Sequence, residues 1–325
     1  MDRADYSAAI AESWKEQTLL NIVKLRYMDL PVFVDVSSIV AGYSLQSGVN
    51  IGGTESSAKA IQGNFLAAGA QAVYTDRPTI TYVPMTGDKF LHGLITPLDP
   101  KNIFFMLQSG YAADFILALT VESLNGVRNR SVAAGAMREA DPEFIRVLQL
   151  LREVQAAGAV GMRVEVDKAK SQTAILFFQR EDVTPDIAEK SAEIRRLLKL
   201  PADGNTFALI YSPNRGGPGE LAVNSRSLLQ IMGAFASYVD VPEADLRSHS
   251  AVPSIGNASA QSVRIYSGKD KPAGAYTAVH YRDYWFWIDD TDWKSKRALT
   301  AIMFFFTLGE TGGNENLPLI TIPAQ

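Results

Sequence analysis

Residues 281–309 read YRDYWFWIDDTDWKSKRALTAIMFFFTLG, and this stretch restricts the possible folds more than any other. Tyr284, Phe286 and Ile288 alternate with Trp285 and Trp287, so a strand here is apolar on both faces. Strands of that kind are covered on both sides. The run from Ala298 to Leu308 is far shorter than the ~20 apolar residues of a membrane-spanning helix, and it reads as a buried helix. Leu299, Ile302, Met303 and Phe306 form its stripe. Phe304 and Phe305 fall off that stripe and need a second partner: the closing strand, another domain or another subunit.

The rest of the chain mixes helices and strands without a regular βαβα rhythm, which points to an α+β fold of mixed or antiparallel sheets with packed helices. Residues 7–28 show helical periodicity, with Ile10, Trp14, Leu19, Ile22, Leu25 and Met28 near one stripe. PVFVDVSSIVAGYSLQ is extended, with a break near Ser37-Ser38. Asp99-Pro100, Asp141-Pro142 and Thr184-Pro185 each place a capping side chain before a proline at the first helical position. FILALTVESL reads as a strand, GMRVEVD and AILFFQR as a strand pair, TFALIYS and ELAVNSR as strands flanking the loop PNRGGPG, and SLLQIMGAFASYV as a helix. LPLITIPA reads as the closing strand. The polar tract RNRSVAAGAMREADPE is the candidate linker, giving regions 1–135 and 136–325 or one intertwined domain.

One tract is compositionally unusual. From 43 to 52, Tyr43, Leu45, Val49 and Ile51 alternate with Ser44, Gln46, Gly48, Asn50 and Gly52. A turn-like GGTESSAKA follows, and IQGNFLAAGAQAVYTD returns as a second strand that includes Phe65. The result is a long β-hairpin of small residues, about 43–74, with almost no charge, which lies over the protein's own core or a neighbour's unless it joins a closed multi-subunit barrel.

Composition bounds the functions. The chain of 325 residues is 47% hydrophobic and 20% charged, an ordinary globular balance. A net charge of -4 with scattered lysines and arginines offers no general attraction to nucleic acid or anionic membrane. Without cysteine there is no disulfide, thiolate metal site or cysteine nucleophile. Such a chain suits the cytoplasm, or an oxidising space where stray thiols are a liability. MDRADYSAAI is polar and leads straight into a helical pattern, with no signal peptide visible.

Catalytic motifs are absent. There is no Walker pattern, no G-x-G-x-x-G after a strand and no G-x-S-x-G elbow. His92, His249 and His280 make no i, i+4 pair, and no cofactor or metal is expected. Asp283, Asp289 and Asp290 lie close together in sequence, with His280 nearby. Paired carboxylates can run acid–base chemistry. The simpler reading is that Asp289 or Asp290 ends a strand and caps the next helix, with Asp292 in its first turn. In the loop Asn214 to Gly219, Arg215 with the N–H groups of Gly216, Gly217 and Gly219 could cradle an anion, or the glycines could simply make a hairpin turn.

Several stretches resemble a family of uncharacterised, mostly proteobacterial envelope lipoproteins. These are DYSAAIAESWKEQTLLNIVKLRYMDLPVFVDVSSIVAGYSL, DRPTITYVPMTGDKF, NSRSLLQIMGAFASYVDVPE, HYRDYWFWIDDTDWKSK and LPLITIPA. The likeness runs along nearly the whole chain and brings no catalytic motif with it. It implies a lipid-bearing cysteine just upstream of the first helix, which this chain lacks. It also implies a place at the periplasmic face of the outer membrane.

Three functions are therefore open. The first is a non-enzymatic envelope protein, structural or partner-binding, that self-assembles or binds other envelope proteins. Its membrane contact would come only through the lost lipid anchor or an oligomeric barrel of hairpins around Tyr43, Leu45, Val49, Ile51 and Phe65. The second is a motif-free hydrolase near Asp283, Asp289, Asp290 and His280. The third is a binding module for an apolar ligand.

Overall fold

The computed structural model describes residues 3–40, 43–54, 65–76, 79–85, 88–133, 136–166, 172–179, 183–252 and 263–310. The fold is α+β, with mixed and antiparallel sheets. The described chain divides into two compact units. One holds residues 3–11 and 34–85, the other residues 12–33 and 86–310.

Helix α1 (Arg3–Arg26) opens the chain and crosses from the smaller unit into the larger. Strands β1 (Phe33–Val40), β2 (Tyr43–Thr54), β3 (Phe65–Asp76) and β4 (Thr79–Met85) follow. The break expected near Ser37-Ser38 does not occur, because β1 runs through both serines to Val40. β1 pairs with β4. β2 pairs with β3 antiparallel, from Tyr43↔Asp76 to Thr54↔Phe65. Residues 55–64, which would close this pair into a hairpin, lie outside the described residues, as does the burial of Tyr43, Leu45, Val49, Ile51 and Phe65.

In the larger unit come α2 (Asp88–Ile95), α3 (Pro100–Gln108) and α4 (Ala113–Thr120), then β5 (Val121–Leu124) and β6 (Val127–Arg128). Asp99 caps α3 by accepting the Lys101 N–H, as its Asp-Pro signal predicts. FILALTVESL is not one strand. It is the body of α4 running directly into β5. A short apolar run cannot tell a buried helix from a buried strand. Here the decision is tertiary: Ile116 and Leu117 are fully buried, and the Gln155 side chain accepts the Ala113 N–H at the start of α4.

The described residues of the expected linker are not irregular. They include β7 (Ser131–Ala133) and β8 (Ala136–Arg138), an antiparallel pair. Next are α5 (Pro142–Ala156), β9 (Val160–Val166), β10 (Gln172–Phe178), α6 (Pro185–Leu197), β11 (Thr206–Tyr211) and β12 (Glu220–Ser225). Thr184 caps α6 as predicted. Asp141 precedes α5 without a side-chain cap bond, because its carboxylate accepts the Arg128 N–H instead.

These strands form one sheet in the order β6-β5-β12-β11-β10-β9, which takes members from both sides of residue 135. β9 and β10 pair antiparallel, as expected. β11 and β12 do not form a hairpin. They run parallel, and residues 212–219 cross over between them. One face of the sheet carries Met162, Leu176, Phe207, Leu209, Leu221, Val223, Leu124 and Val127 in register, and all are buried. Phe144, Val147, Leu150 and Val154 of α5 are buried too, and α3 and α5 contact the sheet.

The chain continues through α7 (Leu228–Ala236), α8 (Glu243–Arg247), β13 (Tyr266–Gly268), β14 (Ala275–Tyr281), β15 (Tyr284–Asp289) and α9 (Trp293–Glu310). Ser227 and Gln230 form a reciprocal capping box at the start of α7. The aromatic tract YRDYWFWID turns at Arg282-Asp283, where Arg282 has φ 53, and β15 lies between β13 and β14. Phe286 and Ile288 are fully buried, but Trp285 and Trp287 are only half-buried. Neighbours on the same sheet cover part of their face. Trp287 stacks on Tyr266 at 5.8 Å, and Trp285 meets His280 edge-on at 5.3 Å. In α9, Leu299, Ile302 and Phe305 are fully buried. Phe306 packs on Phe33 at 4.5 Å, while Phe304 stays 46% exposed and meets the edge of Tyr111. The segment LPLITIPA lies outside the described residues.

The β5–β6 turn is Asn125-Gly126, with φ 46 and 83, the two positive values of a tight hairpin turn. Asn125 is 4% exposed. Its Oδ1 accepts the Ala222 N–H at 2.8 Å and the Gly216 N–H at 3.4 Å, and its Nδ2 donates to the Leu198 carbonyl at 3.0 Å. Asn125→Ala would strand these buried groups and force alanine into left-handed backbone. We expect a loss of about 2–4 kcal/mol in urea unfolding. Asn125→Gly, which keeps the backbone freedom, should lose less. A loss below about 1 kcal/mol for the alanine variant would show that this side chain does not hold the turn.

Candidate anion-binding pocket

On the sheet face opposite the apolar row, register aligns three polar residues. Arg128 of β6 pairs with Ser123 of β5, and Ser123 pairs with Asn224 of β12. Directly paired residues of antiparallel strands lie on the same face. The three therefore form the floor of a pocket of about 460 Å³. The crossover supplies Asn214 and Arg215 as one wall, and β8 supplies Arg138. Asn125 positions that wall, because it ties Gly216 to the β5–β6 turn.

The electrostatics follow from the partners. Glu122 also lines the pocket. Its Oε1 accepts the Arg226 Nε–H at 2.6 Å and lies 3.3 Å from the Ser131 hydroxyl. Arg226 is 7% exposed, and it also donates to the carbonyls of Ala118, Leu119 and Arg130. The one acid is thus paired outside the cluster, with Arg138 at 3.9 Å its second cationic neighbour. Arg138 Nη2 donates to the Asn129 carbonyl, while its Nη1 is buried without a partner among the described residues. Arg215 donates to the Lys199 carbonyl. The Arg128 guanidinium has no hydrogen-bond or ion-pair partner among the described residues.

Of the loop residues singled out in the sequence, Arg215 therefore reaches the pocket. The glycines do not serve as an amide cradle. Gly217 N–H donates to the Glu220 carboxylate at 2.8 Å, and Gly216 N–H points to Asn125. Gly216 is needed for close approach: a Cβ there would sit 2.9 Å from Glu220 Cβ. Gly219 has open space around it. The sequence reading missed Arg128, Arg138 and Asn224. The signal available was Asn125-Gly126, a strong hairpin dipeptide that predicts Arg128 on the returning strand.

The acidic group does not assemble. Asp283 sits in the β14–β15 turn and Asp289 at the far end of β15, about 20 Å away at ~3.3 Å per residue. Asp289 accepts from the Thr291 hydroxyl and amide, which hold its carboxyl below the usual carboxylate value. Asp290 pairs with Lys296 at 2.7 Å. The cap of α9 is Asp292, whose carboxylate accepts the Ser295 N–H, so the capping role falls later than Asp289 or Asp290. His280 is exposed and lines a shallow groove of about 550 Å³ with Glu12, Glu16, Lys271 and Trp285, and none of the three candidate acids lines it.

Among the described residues, no group of three or more His, Asp or Glu side chains is placed to hold a metal ion, and no helix is long and apolar enough to cross a membrane. In comparisons with known proteins, no family model matches the chain, and neither a curated protein nor a solved structure is similar to it.

Asp292→Ala should cost about 1 kcal/mol in thermal denaturation, the usual value of a lost helix cap. Asp283→Asn and Asp290→Asn should stay within about 0.5 kcal/mol. The reverse ranking would return Asp290 to the cap and reopen the acidic group as a working unit.

Proposed function

We propose that this protein is a non-enzymatic bacterial envelope protein that self-assembles through strands β2 and β3. The supporting observation is the isolation of that strand pair. Among the described strands, β2 and β3 pair only with each other. A two-stranded ribbon is marginally stable in water by itself, and its free edges are templates for pairing. Asp76 is the only charged residue in the two strands. Their register matches apolar with apolar or small residues: Leu45 with Tyr74, Val49 with Ala70, and Ile51 with Ala68. Further copies of the same ribbon would satisfy the edges and the apolar face together.

The envelope setting rests on the resemblance to proteobacterial lipoproteins. In that setting the full form carries a lipid anchor at the periplasmic face of the outer membrane. Each strand has 12 residues, enough for the ~9–11 of a tilted membrane-spanning strand. A lipid-exposed sheet must be closed, so insertion would require a ring of subunits. The dispersal of Asp283, Asp289, Asp290 and His280 removes the motive for a hydrolase. Several late aromatics have protein partners, Trp287 on Tyr266 and Phe306 on Phe33, which favours core packing over an apolar ligand.

The test is the solution mass of the chain with and without residues 47–70. A discrete oligomer that becomes a folded monomer on deletion is the expected result. A monomer in both forms would overturn the assembly reading.

A further inference from the structure

We propose that the pocket between β6, β8 and the β11–β12 crossover binds the phosphate group of a small phosphate ester. Arg128, Arg138 and Arg215 converge there from three separate segments of the larger unit. Like charges brought together are costly, and a bound anion relieves that cost. The one carboxylate in the lining, Glu122, is neutralised by Arg226, whose guanidinium is otherwise spent on backbone carbonyls. The pocket therefore carries excess positive charge.

Three features point to phosphate. Guanidinium forks match the oxygens of phosphate two at a time, and several can share one tetrahedral group. The Arg128 guanidinium has no partner among the described residues, and Arg138 has a buried N–H with none, so donors are available without breaking existing bonds. Ser123, Asn214 and Asn224 add neutral polar groups to the same lining, which suits an oxyanion that needs more than charge. Size favours an ester over the free ion. At about 30 Å³ per water-sized group, a bare phosphate fills only part of a pocket of about 460 Å³. The remaining space would take the organic part of an ester.

This site lies wholly in the larger unit and stands independently of the assembly reading. The experiment is calorimetric titration of the intact chain with inorganic phosphate and with glycerol 3-phosphate, each against sodium chloride of equal ionic strength. Saturable binding is expected for both, tighter for the ester. Arg128→Ala and Arg215→Ala should each weaken it by about tenfold, with circular dichroism unchanged because both side chains are exposed. Arg128→Lys should recover part of the loss, as it keeps the charge without the fork. Inorganic phosphate binding as tightly as the ester would keep the oxyanion site but reject the ester. Heat no different from chloride, or binding unchanged in both alanine variants, would overturn the proposal.

Discussion

The Asn125 side chain is the contact through which the larger unit joins its parts. Four segments meet there: the β5–β6 turn, strand β12, the crossover and the carboxyl end of α6. The geometry is demanding because β11 and β12 are parallel. Parallel neighbours usually need a dozen or more residues to cross over, and here residues 212–219 suffice. So short a link cannot also satisfy its own backbone. The buried amide of Asn125 does part of that work, and Glu220 does more by accepting the Gly217 N–H. The left-handed backbone at Asn125 is tolerated because asparagine accepts it more readily than most residues.

The same constraint shapes the pocket. Arg215 lies where it does because the crossover is pinned at Gly216, one residue on. Arg128 is held by the two-residue turn that Asn125 begins. The buried Arg226–Glu122 pair does something different. Such pairs often give little net stability, since desolvation offsets the attraction. Its consequence here is electrostatic: Glu122 is shared between Arg226 and Arg138, so one carboxylate faces more guanidinium charge than it can balance.

Local signals were legible where one residue and its backbone decide the outcome. Asp99 and Thr184 cap the helices their Pro-containing sequences announce. Asp141 carries the same signal, yet its carboxylate is drawn to Arg128, a partner that sequence spacing cannot show. The α+β class followed from the irregular succession of periodicities. The candidate site was legible at Arg215. Arg128 follows from the Asn125-Gly126 turn, but Asn224 meets Ser123 through strand register across about a hundred residues, and no local pattern encodes that.

The amino-acid sequence alone determined the elements whose energy is local. These are the capped helices, the alternating strands and the apolar centre of β15, where Phe286 and Ile288 are buried. Tertiary structure decided everything that depends on which surface an element finds. FILALTVESL became helix and strand because Gln155 and the surrounding core claimed its start. The loop PNRGGPG became a parallel crossover because β12 pairs with β5 on its other edge. The acids near Asp289 separated because a strand runs straight. The physical reason is common to all three. Propensity and capping contribute about 1 kcal/mol or less per residue, and burial with hydrogen bonding across the core contributes more.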